Sequence, residues 1–408
     1  MAKRILFVDD EPMVLTGLQR SLRPMRAEWE MVFAAGGDEA LAAIDRRTFD
    51  IIVTDMRMPG MDGAQLLEEV KKRSPQTLRM VLSGQSDRET ILRSVNPAHQ
   101  FISKPCEGEE LKSRLIRAFA LKDLLQNPGL RELVTKLDSL PSLPPVYLQL
   151  NEELRRAEPS LHRIDELIGA DMAMTAKILK LVNSAFFCLP CEISSASHAV
   201  KLLGLDTLRT LVLTAHVFEK FQSPLLTVDD VQQISDHSLA VSHSARKIAL
   251  LEHADQHIQD ESFTAGLLHD AGKLILASTL GEQYGKVLEH LEQANVGLYA
   301  AECQLLGCSH AQVAAYLFGV WGLPSTIVEA VAWHHDPAGS SSVKFSPLAA
   351  VHVASAYHDE KNSLRLRDRT PIDAAFLAGI GCAEREKAWR DMLDQDFQIS
   401  NLREMRFP

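Results

Sequence analysis

The sequence predicts two architectures in one chain of 408 residues. An α/β unit, a doubly wound five-stranded parallel sheet, is expected over residues 1–124. An all-helical unit is expected over 141–408, with a helical linker at 125–140 between them. Three observations carry this expectation. In the first unit short apolar runs alternate with helical patterns, which signifies a parallel sheet covered on both faces. Beyond residue 145 apolar residues recur at three- and four-residue spacing and no strand alternation survives. Between the two lies Leu140-Pro141-Ser142-Leu143-Pro144-Pro145, a stretch of chain-breaking residues.

In the first unit the strand patterns fall at 4–8, 31–34, 51–54, 79–83 and 100–103. The helical patterns fall at 12–24, 37–46, 62–73, 86–96 and 107–125. The last continues through Leu124 and Leu125 until Asn127-Pro128-Gly129 interrupts it, and 130–140 resumes as an amphipathic helix. The helical unit reads as 146–156, 161–168, 172–183, 196–203, 205–221, 228–250, 260–278, 283–294, 297–306, 309–318, 324–334 and 346–358. Two further helices, 371–380 and 383–394, are expected in the more polar tail.

Parallel strands of an open sheet end in one crevice at their carboxyl edge. Asp9 and Asp10 close the run Arg4-Ile5-Leu6-Phe7-Val8, and Asp55 closes Ile51-Ile52-Val53-Thr54. Ser83 closes Met80-Val81-Leu82, and Lys104-Pro105 closes Phe101-Ile102-Ser103. The crevice therefore gathers three carboxylates, a hydroxyl and an ammonium. Three carboxylates without a cation repel each other, so a hard divalent ion such as Mg²⁺ is implied. A carboxylate beside Mg²⁺ is a competent nucleophile toward phosphorus.

Hydrophobic residues make up 46% and charged residues 24%, as in an ordinary globular protein. The formal net charge of −11 argues against non-specific binding to nucleic acid or to an anionic membrane. No basic recognition helix stands out, so DNA is not an expected partner. No apolar run reaches the ~18 residues of a membrane span. Met1-Ala2-Lys3-Arg4 leads straight into a strand pattern without a signal-peptide layout, so a cytoplasmic protein is expected. Of the six cysteines only Cys188 and Cys191 are spaced as metal or redox ligands, and no second pair completes a zinc site.

On the motifs quoted for the crevice, residues 1–124 resemble the CheY-like receiver domain of two-component response regulators. The resemblance implies that Asp55 is the phospho-acceptor and that Asp9, Asp10 and Asp55 hold Mg²⁺. It also implies that Ser83 and Lys104 bind the phosphoryl group and that Phe101 is the aromatic switch. A sensor histidine kinase is the implied phosphodonor. The pattern further implies a cis peptide before Pro105 and pairing of receivers through the face that carries 86–96 and 107–125. A homodimer is therefore expected, with Leu111, Leu115 and Phe119 as candidate apolar positions.

The helical unit holds a second constellation: His237, His269-Asp270, His310 and His334-His335. Imidazoles and a carboxylate from several helices suit one or two transition metals, which activate water for phosphoester hydrolysis. The order resembles the HD superfamily of metal-dependent phosphohydrolases, in which His237, His269 and Asp270 match the first three ligands. Ser355 stands where the family's last acid is expected. Asp359 lies one turn further on, roughly a 5.4 Å pitch away, and is not expected to substitute.

A finer resemblance is to the HDOD, or HD-related output, domain over about 138–340. It rests on Leu140-Pro141-Ser142-Leu143-Pro144, on the run from Asp171 to Ala185, on His198-Ala199-Val200-Lys201-Leu202-Leu203-Gly204 and on Trp321-Gly322-Leu323-Pro324. HDOD domains are largely non-catalytic, and the Gly-Tyr-Pro signature of HD-GYP phosphodiesterases is missing after His269-Asp270. The expected function is a regulator phosphorylated on Asp55 that switches a non-catalytic output domain binding a protein or nucleotide. The alternative is a phosphorylation-gated metallophosphohydrolase acting on a cyclic dinucleotide. The histidine constellation is expected to be vestigial, holding at most a weakly bound transition metal.

Overall fold

The computed structural model describes the chain outside residues 1–2, 84–96, 105–107, 126, 136, 138–140, 143, 157, 184–191, 205–207, 209–218, 221–224, 362–364, 367 and 405–408. The helix pattern at 86–96, most of that at 205–221, and the bond before Pro105 lie outside the described residues.

The first unit runs β1 (Lys3–Val8), α1 (Pro12–Ser21), β2 (Trp29–Ala34), α2 (Gly37–Arg46), β3 (Ile51–Asp55), α3 (Gly63–Arg73), β4 (Leu78–Ser83), β5 (Gln100–Ser103) and α4 (Gly108–Leu124). Its sheet has the order β2-β1-β3-β4-β5, and all its pairings are parallel. The five expected strands are therefore present. The helix expected at 12–24 stops at Ser21, and a 3-10 turn over Arg23–Ala27 follows, because Pro24 has no N–H for the α-helical ladder.

The central strands are apolar on both faces, as burial on both sides requires. Leu6, Ile52 and Val81 face α2 and α3, where they join Leu41, Leu66, Leu67 and Val70. Ile5, Phe7, Ile51, Val53 and Met80 face the other way.

The rest is helical. Helix α5 (Pro128–Thr135) leads to α6 (Pro144–Arg155), α7 (Leu161–Gly169), α8 (Met172–Val182) and α9 (Ala196–Leu203). Next come α10 (Val228–Leu251), α11 (Gln256–Leu268), α12 (Ala271–Thr279), α13 (Glu282–Ala294) and α14 (Leu298–Leu306). Then follow α15 (His310–Val320), α16 (Ser325–Trp333), α17 (Pro347–Lys361), α18 (Ala374–Gly379) and α19 (Glu386–Glu404).

Two expectations are corrected here. A short parallel ladder pairs Pro141–Ser142 with Glu219–Lys220, inside the region read as free of strands. Two residues are too few to register as a periodicity. The single helix expected at 260–278 is broken at His269-Asp270, where Asp270 leaves helical geometry (φ −98°, ψ 1°). Every residue around the break is apolar or buried, so the sequence pattern alone runs straight through it.

The two units share one core. The apolar cluster on the β5 side of the sheet continues through Leu115, Ala118, Phe119 and Leu121 of α4 into Leu130 and Val134 of α5 and then into the helical body. The linker read at 125–140 is thus partly built in: Leu125, Leu130 and Val134 are buried. Leu111, Leu115 and Phe119 are buried too, so they serve the interior of the chain.

Candidate functional site

The carboxyl edge of the sheet brings Asp9, Asp55 and Lys104 together. The Lys104 ammonium lies 2.8 Å from Asp9 Oδ2 and also bonds Asp55 Oδ1. Asp9 Oδ1 accepts from the N–H of Glu11 at 2.9 Å, and Asp55 Oδ2 accepts from the N–H of Arg57 at 2.7 Å. Burial works against the charge on Lys104, but the two carboxylates outweigh it and raise its pKa above the usual lysine value. Asp10 follows Asp9 in the same turn and is half-buried.

The loop after β3 is shaped by glycine. A Cβ on Gly63 would lie 2.2 Å from the carbonyl oxygen of Asp55, and the N–H of Gly63 donates to Met56 O at 2.9 Å. Asp62 then caps α3 reciprocally with Gln65, which holds the loop against β3. Ser83 ends β4 one register step past Asp55's neighbour Leu82, and it pairs with Ser103 of β5. The side chains of Ser83 and Phe101 lie outside the described residues, so only their strand positions are fixed here.

The second cluster lies at the meeting of α10, α11, α12, α15 and α16. Its donors are mutually close: Asp270, His310, His334 and His335 each offer a ligand atom, all within 4.8 Å of one another. His237, His269 and Asp270 form a second such group that shares Asp270. His310 Nε2 lies 3.3 Å from Asp270 Oδ1 and 3.1 Å from His335 Nε2.

The rings are oriented from behind. Nδ1 of His269 donates to Gly266 O at 2.7 Å, and Nδ1 of His334 donates to Val331 O at 2.8 Å. Nδ1 of His310 donates to Glu302 Oε2 at 2.6 Å, and Glu302 in turn accepts from the hydroxyl of Tyr284 at 2.9 Å. Gly272 lets this happen: a Cβ there would lie 1.9 Å from His310 O, so only glycine allows α12 and α15 to approach so closely.

Burial pushes His237 down to about 3 and His334 and His335 well below the ordinary histidine value. Burial opposes the charge on His310 as well, but the Glu302 and Asp368 carboxylates lift it to about 10. Burial pushes Asp359 up to about 8, with Asp368 adding to the effect. Lys273, on α12, lies 2.8 Å from both Asp270 Oδ2 and Asp368 Oδ2, and its ammonium stays charged despite burial.

Comparison with known proteins agrees with both halves. The family profile described as "Response regulator receiver domain" matches residues 5–116, and that described as "HDOD domain" matches 140–337. The chain is a response regulator with a receiver domain and an HDOD domain.

Relatives of this response regulator include an uncharacterized protein of Treponema pallidum, 28% identical over 50% of this chain and 39% of its own length. Another is the hydrogenase transcriptional regulatory protein HoxA of Cupriavidus necator, 31% identical over 41% of this chain and 33% of that one. The chain therefore spans only 33–39% of the length of these relatives. Among solved structures it is similar to the MmoQ response regulator of Methylococcus capsulatus, at 21% identity and a TM-score of 0.46 over 61% of this chain and 96% of that chain. It is also similar to an HDOD domain protein of Geobacter sulfurreducens, at 24% identity and a TM-score of 0.41 over 72% of this chain and 96% of that one.

In the response regulator's HDOD domain the donor set fits a transition metal. His269 Nε2 and His334 Nε2 are buried and have no hydrogen-bond partner among the described residues. Each belongs to a ring whose other nitrogen is committed to a carbonyl, the arrangement that presents a lone pair to a metal. Three histidines and a carboxylate suit Zn²⁺, Mn²⁺ or Fe²⁺ rather than Mg²⁺.

Asp359 faces the cluster: its Oδ1 lies 3.9 Å from His237 Nε2, and it lines a small cavity with His237, Asp270 and Lys273, but it belongs to neither group of close donors. Helix α17 lies against α10 along its length, so Ser355 and Asp359, one turn apart, are both turned inward and buried. Glu302, Lys273 and Asp368 were not anticipated. Lys273 and Glu302 were visible only as charges in apolar helical patterns. Asp368 sits in a polar stretch that carries no periodic signal.

Proposed function

We propose that the chain is a phosphorylation-switched regulator whose HDOD domain binds a protein or nucleotide partner without turning it over. The observation that carries the first half is the convergence of Asp9 and Asp55 on the ammonium of Lys104. In this reading an Asp55 oxygen attacks phosphorus, the bond to the histidine of a sensor kinase breaks, and Asp55 becomes an acyl phosphate. Asp9, Asp10 and Asp55 would hold Mg²⁺, whose charge would neutralise the phosphoryl oxygens when bound. Lys104 leaves its carboxylate partners for those oxygens, and Ser83 donates a hydrogen bond to one of them.

The second half is supported by the closure of the histidine centre. The cavity beside it, lined by Asp230, Gln233, His237, Asp270, Lys273 and Asp359, measures about 10 Å³, room for about one water. That space is too small for a nucleotide phosphate. Little or no turnover of cyclic di-GMP is therefore expected, with or without added Mn²⁺. Robust hydrolysis that disappears in both His269→Ala and Asp270→Ala would instead establish the metallophosphohydrolase reading.

Coupling between the domains is proposed to run through α15 as well as through residues 107–140. The Gln100 side-chain amide of β5 donates to Gly319 O at 2.8 Å, next to the switch position Phe101. Leu121 of α4 packs where a Cβ on Gly319 would stand, and Thr135 Oγ1 lies 3.1 Å from Tyr316 Oη. Helix α15 is about 16 Å long and carries His310 at its other end. A shift of β5 on phosphorylation thus reaches the histidine centre through one rigid helix.

Phosphorylated protein is expected to show altered hydrogen exchange in α15. Gln100→Ala is expected to reduce that change while leaving Asp55 phosphorylation intact. Identical exchange in α15 with and without full phosphorylation would refute this route. A homodimer whose assembly changes on phosphorylation, and a cytoplasmic location, belong to the same proposal. Among the described residues no helix is long and apolar enough to cross a membrane.

A further inference from the structure

Beside the histidine centre lies a segment beyond the HDOD match, residues 365–366 and 368–373. Its attachments are numerous and directed. The Arg365 guanidinium pairs with Asp230 at 3.3 Å and Glu292 at 3.0 Å. Leu366 O accepts from Lys273 at 3.2 Å, and Arg369 donates to Asn295 O at 2.8 Å. Gly297 lies so close that a Cβ there would stand 2.8 Å from the Arg369 nitrogen. The segment is thus a strap held across the centre at both flanks.

The strap delivers one side chain inward. Asp368 is 2% exposed. Its Oδ1 accepts from the N–H of Tyr299 at 2.6 Å, which fixes the carboxylate plane. Its Oδ2 then lies 3.5 Å from His335 Nε2, 3.8 Å from His310 Nε2 and 2.8 Å from Lys273 Nζ. Ligands around a metal at ~2.0–2.2 Å stand about 3.4 Å apart in a tetrahedral site. The His310–His335, His310–Asp270 and His335–Asp368 separations of 3.1, 3.3 and 3.5 Å are close to that spacing, and the His310–Asp368 separation is wider at 3.8 Å. Ser355, at the position where the superfamily's last acid is expected, is buried and brings no charge.

We propose that Asp368, carried on this strap, is the carboxylate ligand that completes a divalent transition-metal centre with Asp270, His310 and His335, in place of the acid that Ser355 lacks. The proposal rests on the reading that the HDOD centre holds a metal. It explains why a chain that has lost one acid keeps its histidines oriented from behind: the missing ligand is supplied from another part of the sequence. Lys273, between Asp270 and Asp368, then offsets the surplus negative charge of the two carboxylates. The competing account makes Lys273 the only cation and Asp368 a strut for it.

The test uses the full chain and Co²⁺, whose visible absorption reports the ligand set, with Mg²⁺ in excess to occupy the receiver carboxylates. Wild type is expected to take up about one Co²⁺ per chain. Asp368→Asn keeps the oxygen that accepts from Tyr299 but loses the ligand charge. It is expected to bind Co²⁺ at least tenfold more weakly, with an altered spectrum. Adding Ser355→Asp to Asp368→Asn is expected to restore binding. Unchanged melting temperature and unchanged Asp55 phosphorylation in the variants show that the fold is intact, and a variant that fails either is replaced by Asp368→Ser. Tight Co²⁺ binding with the same affinity and spectrum in wild type and Asp368→Asn overturns the assignment of Asp368 and leaves the metal reading standing. Absence of Co²⁺ binding in wild type overturns the metal reading itself.

Discussion

Asp55→Ala is expected to abolish phosphate incorporation from acetyl phosphate in the presence of Mg²⁺, while wild type takes up one phosphoryl group per chain. The reason is positional. Among the described residues only Asp9 and Asp55 share the Lys104 ammonium. Asp9 is 2% exposed, and its Oδ1 is committed to the N–H of Glu11, so it is poorly placed to attack an incoming donor. Asp55 sits at the mouth of the crevice, followed by a loop that Gly63 allows to pass directly over its carbonyl. Removing its carboxylate therefore removes the proposed nucleophile. Intact-protein mass spectrometry reads the outcome. Equal labelling of wild type and Asp55→Ala would sink the assignment.

Gly272→Ala is expected to be the most damaging single-methyl change in the helical domain. The added carbon would stand 1.9 Å from His310 O and 2.9 Å from His310 Cα, both backbone atoms at the start of a helix buried everywhere but at Gln312. Relief requires α12 and α15 to move apart. That would pull Asp270 and Lys273 on one side away from His310 on the other. Overpacking against backbone costs about 3 kcal/mol. A melting temperature lower by roughly 6 °C or more is therefore expected. Gly17→Ala is the control: it lies in the exposed part of α1 with nothing within 4 Å of a new Cβ, so it should be neutral or stabilise by about 0.5 kcal/mol. A Gly272→Ala protein that melts with wild type would mean that the approach of the two helices is not as close as the structure has it.

The receiver half was legible because its chemistry lies at strand ends. A strand that terminates in Asp, Ser or Lys after four or five apolar residues states both its own position and that of its functional group. Once the strands are parallel and adjacent, Asp9, Asp55 and Lys104 have to meet. The glycine-rich turn after Asp55 was equally readable, since Gly60 takes a positive φ of 77° and Gly63 a close approach. The histidines of the second half were legible as a set, because imidazoles spaced along apolar helices draw notice. Their partners were not. Glu302, entirely buried and bonded to His310 and Tyr284, looks in sequence like an ordinary polar position of an amphipathic helix.

By itself the sequence determined the two architectures, the order of the strands along the chain, and the candidates for phospho-acceptor and histidine ligands. These depend on local periodicity and on which residue follows a strand or opens a helix. Tertiary structure alone decided that the two units share one apolar core, that α15 spans from Gln100 to the histidine centre, and that α12 begins at a break beside His269. It also decided that Asp359 and Asp368 both turn toward that centre. Asp359 does so because α17 lies flat along α10, so that successive turns of one face are buried together. Asp368 does so because Arg365, Arg369 and the Tyr299 N–H hold an irregular strap in place. Contacts between residues 69 to 135 positions apart are set by the packing of whole helices, and no short window of sequence encodes them.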